Sequence, residues 1–167
     1  MAVYLPDLDA VFVHVPKAAG TWVKEVLEAS GLRCEPAGGV GEHNLPTAYR
    51  AGTALTKRFM FVRHPLAWYE SVWRGLNTGW PARRDVKPLH RERSWSPIRL
   101  LTYLAGESTF GAFVRRVLEE QPGFCSRMFE WYAGPPGAPA VDYVGRCAHA
   151  RTDLAALLQL LGWSGGL

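Results

Sequence analysis

Two stretches of this chain, Val11 to Val23 (VFVHVPKAAGTWV) and Phe59 to Trp73 (FMFVRHPLAWYESVW), follow one pattern. Each begins as a short apolar run suited to a buried strand, passes through a turn that carries a basic residue, and continues with helical spacing. Pro16 cannot donate to a β-ladder and closes the first run. Pro65 suits the first turn of a helix. Strand, basic turn, helix, stated twice, constrains the chain toward parallel strands joined by helical crossovers.

The rest of the sequence fits that plan. Ala10–Val15 and Phe59–Val62 read as strands, and Val141–Val144 as a third. A helix is predicted from Thr21 through Ala29, with Trp22, Val23, Val26 and Leu27 on one stripe and Ser30-Gly31 as its stop. Leu32–Glu35 reads as a short strand and the Gly/Pro-rich stretch Pro36–Tyr49 as a loop. Further helices are predicted over Pro65 to about Leu76, Pro97–Leu104, Thr109–Glu120, Cys125–Tyr132 and Thr152–Leu161, the last with Asp153 in its first turn. Asn77–Pro97 is a long polar, basic loop, and loops of that length inside a domain are usually functional or mobile. The expected fold is α/β, a three-layer αβα sandwich with a short, mostly parallel sheet, formed by residues 1–167 as one domain.

Composition narrows the partners. At 48% apolar and 12% aromatic the chain can bury a core and is not of the disordered class. A net charge of +4 suits an anionic ligand, while the scatter of the basic residues points away from nucleic acid. Cys34, Cys125 and Cys147 form no CxxC pair and are odd in number, which favours free thiols in a reducing compartment. The Met1 end shows no secretory pattern, and no apolar run approaches the roughly 18–20 residues of a membrane span. The expectation is a cytoplasmic protein that does not enter membranes.

The turn PKAAGTW, Pro16 to Trp22, follows a strand and opens a helix. Helix N-termini present unpaired N–H groups and a positive dipole end to an incoming anion. Ala18, Ala19 and Gly20 leave room for close approach, Lys17 adds a mobile charge, and the Thr21 hydroxyl can donate to a phosphate oxygen. The GxxxxGK[ST] pattern of a Walker A loop is absent, and an ordinary strand–helix turn that holds a lysine is the alternative. In the second stretch Arg63 can bind a phosphate in bidentate fashion, and Ser71, eight residues on, can join it if the helix passes beside the site. The alternative is an Arg–carboxylate pair with a serine on a helix face. His14 and His64 read as structural histidines. No His/Cys/Asp cluster has metal-ligand spacing, so no metal is expected. A phosphoryl-transfer enzyme would want a carboxylate just after an apolar strand to hold Mg²⁺, whereas Asp142 falls within its strand.

HVPKAAGTW followed by FVRHPLAWYESVW resembles the sulfotransferases that use 3′-phosphoadenosine 5′-phosphosulfate, especially their bacterial and Golgi-type branch. In that family the first loop is often PKTGGT or PKSGTTW, and an Arg with a Ser eight residues later forms the second motif. VDYVGRCAHARTDL, Val141 to Leu154, is similar to the family's later VGRxExLxxDL segment, with Ala148 where Glu is common. The three matches cover about a quarter of the chain, in the family's order.

The resemblance implies a P-loop-like sulfotransferase topology and sulfuryl transfer from that donor to a hydroxyl or amine of a small molecule or sugar. Lys17 would stabilise charge on the departing phosphate. The loop Ala18, Ala19, Gly20, Thr21 and Trp22 would hold the 5′-phosphate, and Arg63 with Ser71 the 3′-phosphate. His43, in GEHNLP, would be the base, with Glu42 and Glu70 as alternatives. Trp22, Trp73, Trp80 and Trp95 are expected acceptor-pocket walls. Because family members commonly run past the point where this chain stops, a homo-oligomer that completes the acceptor cavity is among the expected partners. A nucleotide-binding module or partner subunit without catalysis is the competing reading.

Overall fold

The computed structural model describes residues 2–38, 55–78 and 97–166. Five strands form one sheet: β1 (Val3–Leu5), β2 (Ala10–Phe12), β3 (Glu35–Pro36), β4 (Lys57–Val62) and β5 (Tyr143–Arg146), in the order β3-β1-β2-β4-β5. β2 pairs parallel with β4, Phe12 opposite Phe59, and β4 pairs parallel with β5, Phe59 opposite Tyr143. β1 lies antiparallel between β2 and β3. The result is mixed α/β with a mostly parallel sheet.

Alternation along the strands sends side chains to opposite faces. Val11, Val13 and Met60 enter one apolar cluster, and Ala10, Phe12, Phe59 and Phe61 enter the other. The first cluster is completed by three α-helices, α2 (Pro65–Asn77), α3 (Phe110–Glu120) and α4 (Phe124–Ala133), through Trp68, Val72, Phe113, Val117, Phe124 and Met128. The second is completed by α1 (Gly20–Ala29) and α5 (Ala150–Leu160), through Val23, Leu27, Leu154 and Leu158. Helices therefore cover both faces of the sheet, as the alternating pattern predicts.

Local chemistry explains the boundaries. Thr109 caps α3, its hydroxyl accepting from the Ala112 N–H at 3.2 Å. Gly123, at φ 71°, opens α4 after Pro122 has stopped the preceding helix. The helix expected over Pro97–Leu104 is of the 3₁₀ type. The buried residues Ile98, Leu101 and Leu104 recur every third position, which is one face at three residues per turn.

Other expectations shift by a few residues. The third parallel strand begins at Tyr143 because Asp142 is taken up at the sheet entrance, where its carboxylate accepts from Lys57 Nζ at 3.1 Å and the Arg58 N–H at 2.8 Å. The strand after α1 is Glu35–Pro36. β1 was not foreseen, and it is the one strand of the five that runs against the others. Among the described residues no helix is long and apolar enough to cross a membrane. All three cysteines are free.

Candidate functional site

The parallel pairing of β2 and β4 brings both basic turns to one end of the sheet. Arg63 follows β4 directly, and its Nη1 donates to the Lys17 carbonyl at 3.4 Å. A cleft of about 380 Å³ opens there, lined by Lys17, Ala19, Gly20, Thr21, Trp22, Arg63 and Ser71, together with His14, Pro16 and Ile98. That volume lies within the range of about 300–1,000 Å³ common for small-molecule sites. Ser71 reaches the cleft because α2 starts at Pro65 and runs past Arg63.

The loop itself is strained. Lys17 and Ala19 both take left-handed backbone conformations, at φ 60° and 62°, which non-glycine residues adopt at a cost. Such alternation of hand turns successive N–H groups toward one concavity, a geometry suited to anions. Ala19 occupies the N-cap of α1 with no side-chain oxygen to accept from the first turn. The donors of Gly20, Thr21 and Trp22 are the ones an α-helix leaves without intrahelical partners. Trp68 anchors the loop from below: its indole Nε1 donates to the Pro16 carbonyl at 2.9 Å in a buried bond.

Two cations share this wall. Burial lowers the Lys17 pKa from its ordinary value, and the neighbouring Arg63 charge lowers it further. Both causes disfavour positive charge in the cleft, and an anion bound there would offset them. A cleft with a half-buried lysine, an arginine and a helix N-terminus is matched to a ligand carrying several negative charges.

The sequence-predicted residues fall into three groups. Lys17, Ala19, Gly20, Thr21, Trp22, Arg63 and Ser71 meet in the cleft. Ala18 does not: its side chain is buried in the core and its N–H donates back to the Val15 carbonyl at 3.3 Å. The left-handed turn at Lys17 directs it inward. His43 and Glu42, with Trp80 and Trp95, lie outside the described residues. Trp73 is not a cleft wall; it packs on Phe110 and donates to the Glu107 carbonyl at 2.9 Å. Glu70 is held by Arg74 at 2.6 Å. His14, read as a structural histidine, lines the cleft. The available signal was one polar ring at the end of an otherwise apolar strand, six residues before the first glycine of the helix.

The third segment acts as a bracket at the sheet's edge. Asp153, in the first turn of α5, accepts from the Arg146 N–H at 2.8 Å, from Nε at 3.0 Å and from Nη2 at 3.1 Å. Gly145 is required because a Cβ there would run into the Phe61 ring. Hydrogen bonding from Arg146 lowers the Asp153 pKa below the ordinary 3.8. A carboxylate depressed on folding contributes stability above its unfolded pKa and loses it as pH falls through the folded one. Asp153→Asn should therefore lower the melting temperature slightly at neutral pH, with the gap to wild type narrowing as the solution is made more acidic than the ordinary carboxylate range; parallel pH–melting curves would contradict this.

Among the described residues no group of three or more His, Cys, Asp or Glu could hold a metal ion. In comparisons with known proteins, no family model, no curated protein and no solved structure matches the chain.

Proposed function

We propose that this chain is a sulfotransferase of P-loop-like topology that uses 3′-phosphoadenosine 5′-phosphosulfate, with a hydroxyl or amine of a small molecule or carbohydrate as acceptor. The observation that carries the reading is the meeting of two basic turns in one cleft. Lys17 and the α1 N-terminus form one anion cradle, and Arg63 with Ser71 forms a second beside it. A nucleotide with phosphates at both its 3′ and 5′ positions needs two such cradles.

The donor supplies an activated sulfuryl group whose bond to the 5′-phosphate breaks as a bond to the acceptor oxygen forms. The chain's residues position and stabilise. Gly20, Thr21 and Trp22 present N–H donors to the 5′-phosphate, Lys17 meets the charge that builds on the leaving oxygen, and Arg63 and Ser71 hold the 3′-phosphate. His43 is proposed to take the acceptor proton. Trp22, on the cleft wall, offers an aromatic face to an organic ligand.

Calorimetric titration tests the assignment. Adenosine 3′,5′-bisphosphate should bind at least about tenfold more tightly than AMP or ATP, since a charge-assisted bidentate contact contributes roughly 1.5–3 kcal/mol. Indifference among the three nucleotides would remove the reading. Arg63→Met should erase most of that preference, costing the bisphosphate roughly 10- to 100-fold in affinity and AMP little.

A further inference from the structure

Gly20 is the first residue of α1, and its position leaves no room for a side chain. A Cβ built there would fall on the Cδ2 and Nε2 atoms of His14. The two residues are therefore in direct contact across the turn, ring edge against helix backbone. The His14 ring also stacks on Phe12, with centroids 6.1 Å apart and planes at 22°. Phe12 is fully buried in the cluster that α1 covers. The imidazole thus links a fixed point of the sheet to the first turn of the helix, and it lines the same cleft as Lys17 and Arg63.

We propose that His14 is a positioning residue for the anion cradle: its ring is the stop that sets the first turn of α1, so that the Gly20, Thr21 and Trp22 N–H groups converge on one phosphate. This rests on the anion reading of the cleft given above. The geometry gives the ring its task. Ala19 supplies no capping oxygen, and the turn is strained at Lys17 and at Ala19 itself, so local bonds alone hold the helix start weakly. A rigid planar side chain in contact with the backbone supplies the missing constraint. An imidazole can do this on a cleft wall that must also face water and a polyanion, where a purely apolar ring would leave the wall without a polar edge.

The contact makes position 20 depend on position 14. Gly20→Ala alone forces the first turn away from His14 and should lower the ligand-free melting temperature. Adding His14→Ala to it should restore most of that loss, because alanine is the better helix former once the ring is gone. His14→Ala alone should weaken adenosine 3′,5′-bisphosphate by about tenfold or more while changing adenosine 3′-monophosphate by less than about threefold. The loss belongs to the 5′-phosphate, and general loosening of the fold would weaken both nucleotides alike. His14→Gln, read by the same affinity ratio, replaces His14→Ala if that variant does not fold.

Strictly additive melting shifts would overturn the contact. Equal losses for both nucleotides, or none for either, would overturn the positioning role. A wild-type chain that binds neither nucleotide would overturn that role together with the reading it rests on, and the melting temperatures would still decide whether the ring sets the helix.

Discussion

On the proposed reaction, Lys17→Ala should lower sulfuryl transfer by roughly 10²- to 10³-fold, the scale seen when one preorganised electrostatic contact to a developing oxyanion is removed. Affinity for adenosine 3′,5′-bisphosphate should fall by no more than about tenfold, because on that reading Arg63, Ser71 and the α1 N-terminus would still hold both phosphates. The asymmetry follows from what changes during the reaction. Both phosphates are charged before and after transfer, whereas the charge on the oxygen that leaves sulfur grows only in the transition state. Lys17 is half-buried in the cleft, where a charge acts more strongly than in water, and its lowered pKa reports that desolvation. The substitution is clean at the backbone: Lys17 sits at φ 60°, and alanine meets the same left-handed cost as lysine. Turnover is read as bisphosphate released from the donor with phenolic and sugar acceptors present. If the wild-type chain binds the bisphosphate but releases none from the donor, the chain is a binding module and the catalytic proposal fails. If Lys17→Ala loses affinity and turnover in equal proportion, lysine contributes uniform binding and not catalysis.

The positions of the two basic turns were legible because an apolar run has one obvious direction of exit. Once Ala10–Val15 and Phe59–Val62 are neighbouring parallel strands, Lys17 and Arg63 must emerge at the same end. The 3₁₀ segment was legible as a helix but not as 3₁₀, although the spacing of Ile98, Leu101 and Leu104 held the clue. β1 was not legible: three residues followed by Pro6 carry no periodicity, and Val3, Tyr4 and Leu5 become a strand only through pairing with β2 and β3. The inward turn of Ala18 depends on the left-handed backbone of Lys17, and no composition rule assigns that to a lysine. That His14 borders the cleft was hidden for a related reason: it lies against Gly20, which the chain brings alongside only after reversing direction at Pro16. What sequence pattern misses here are contacts made across turns, where side-chain chemistry follows from backbone hand.

Trp68→Ala should cost about 3–5 kcal/mol, a large share of the total stability of about 5–15 kcal/mol for a domain. Trp68 is fully buried, packed against Tyr69 and Phe124 with ring centroids 5.3 Å and 6.1 Å away. Its removal leaves a cavity at the centre of the larger cluster. Trp68→Phe isolates the other half of its work. Phenylalanine keeps most of the apolar contact but cannot donate to the Pro16 carbonyl, which the indole Nε1 satisfies at 2.9 Å. A buried acceptor left without its donor costs about 1–3 kcal/mol. That cost falls on the strained loop that carries Lys17. Denaturant midpoints should therefore rank wild type above Trp68→Phe above Trp68→Ala. Amide exchange in Trp68→Phe should rise over residues 17–22 before it rises in β4, and bisphosphate affinity should drop alongside. Exchange that increases evenly across sheet and loop would mean that the indole bond stabilises the fold in general and does not hold the cradle in place.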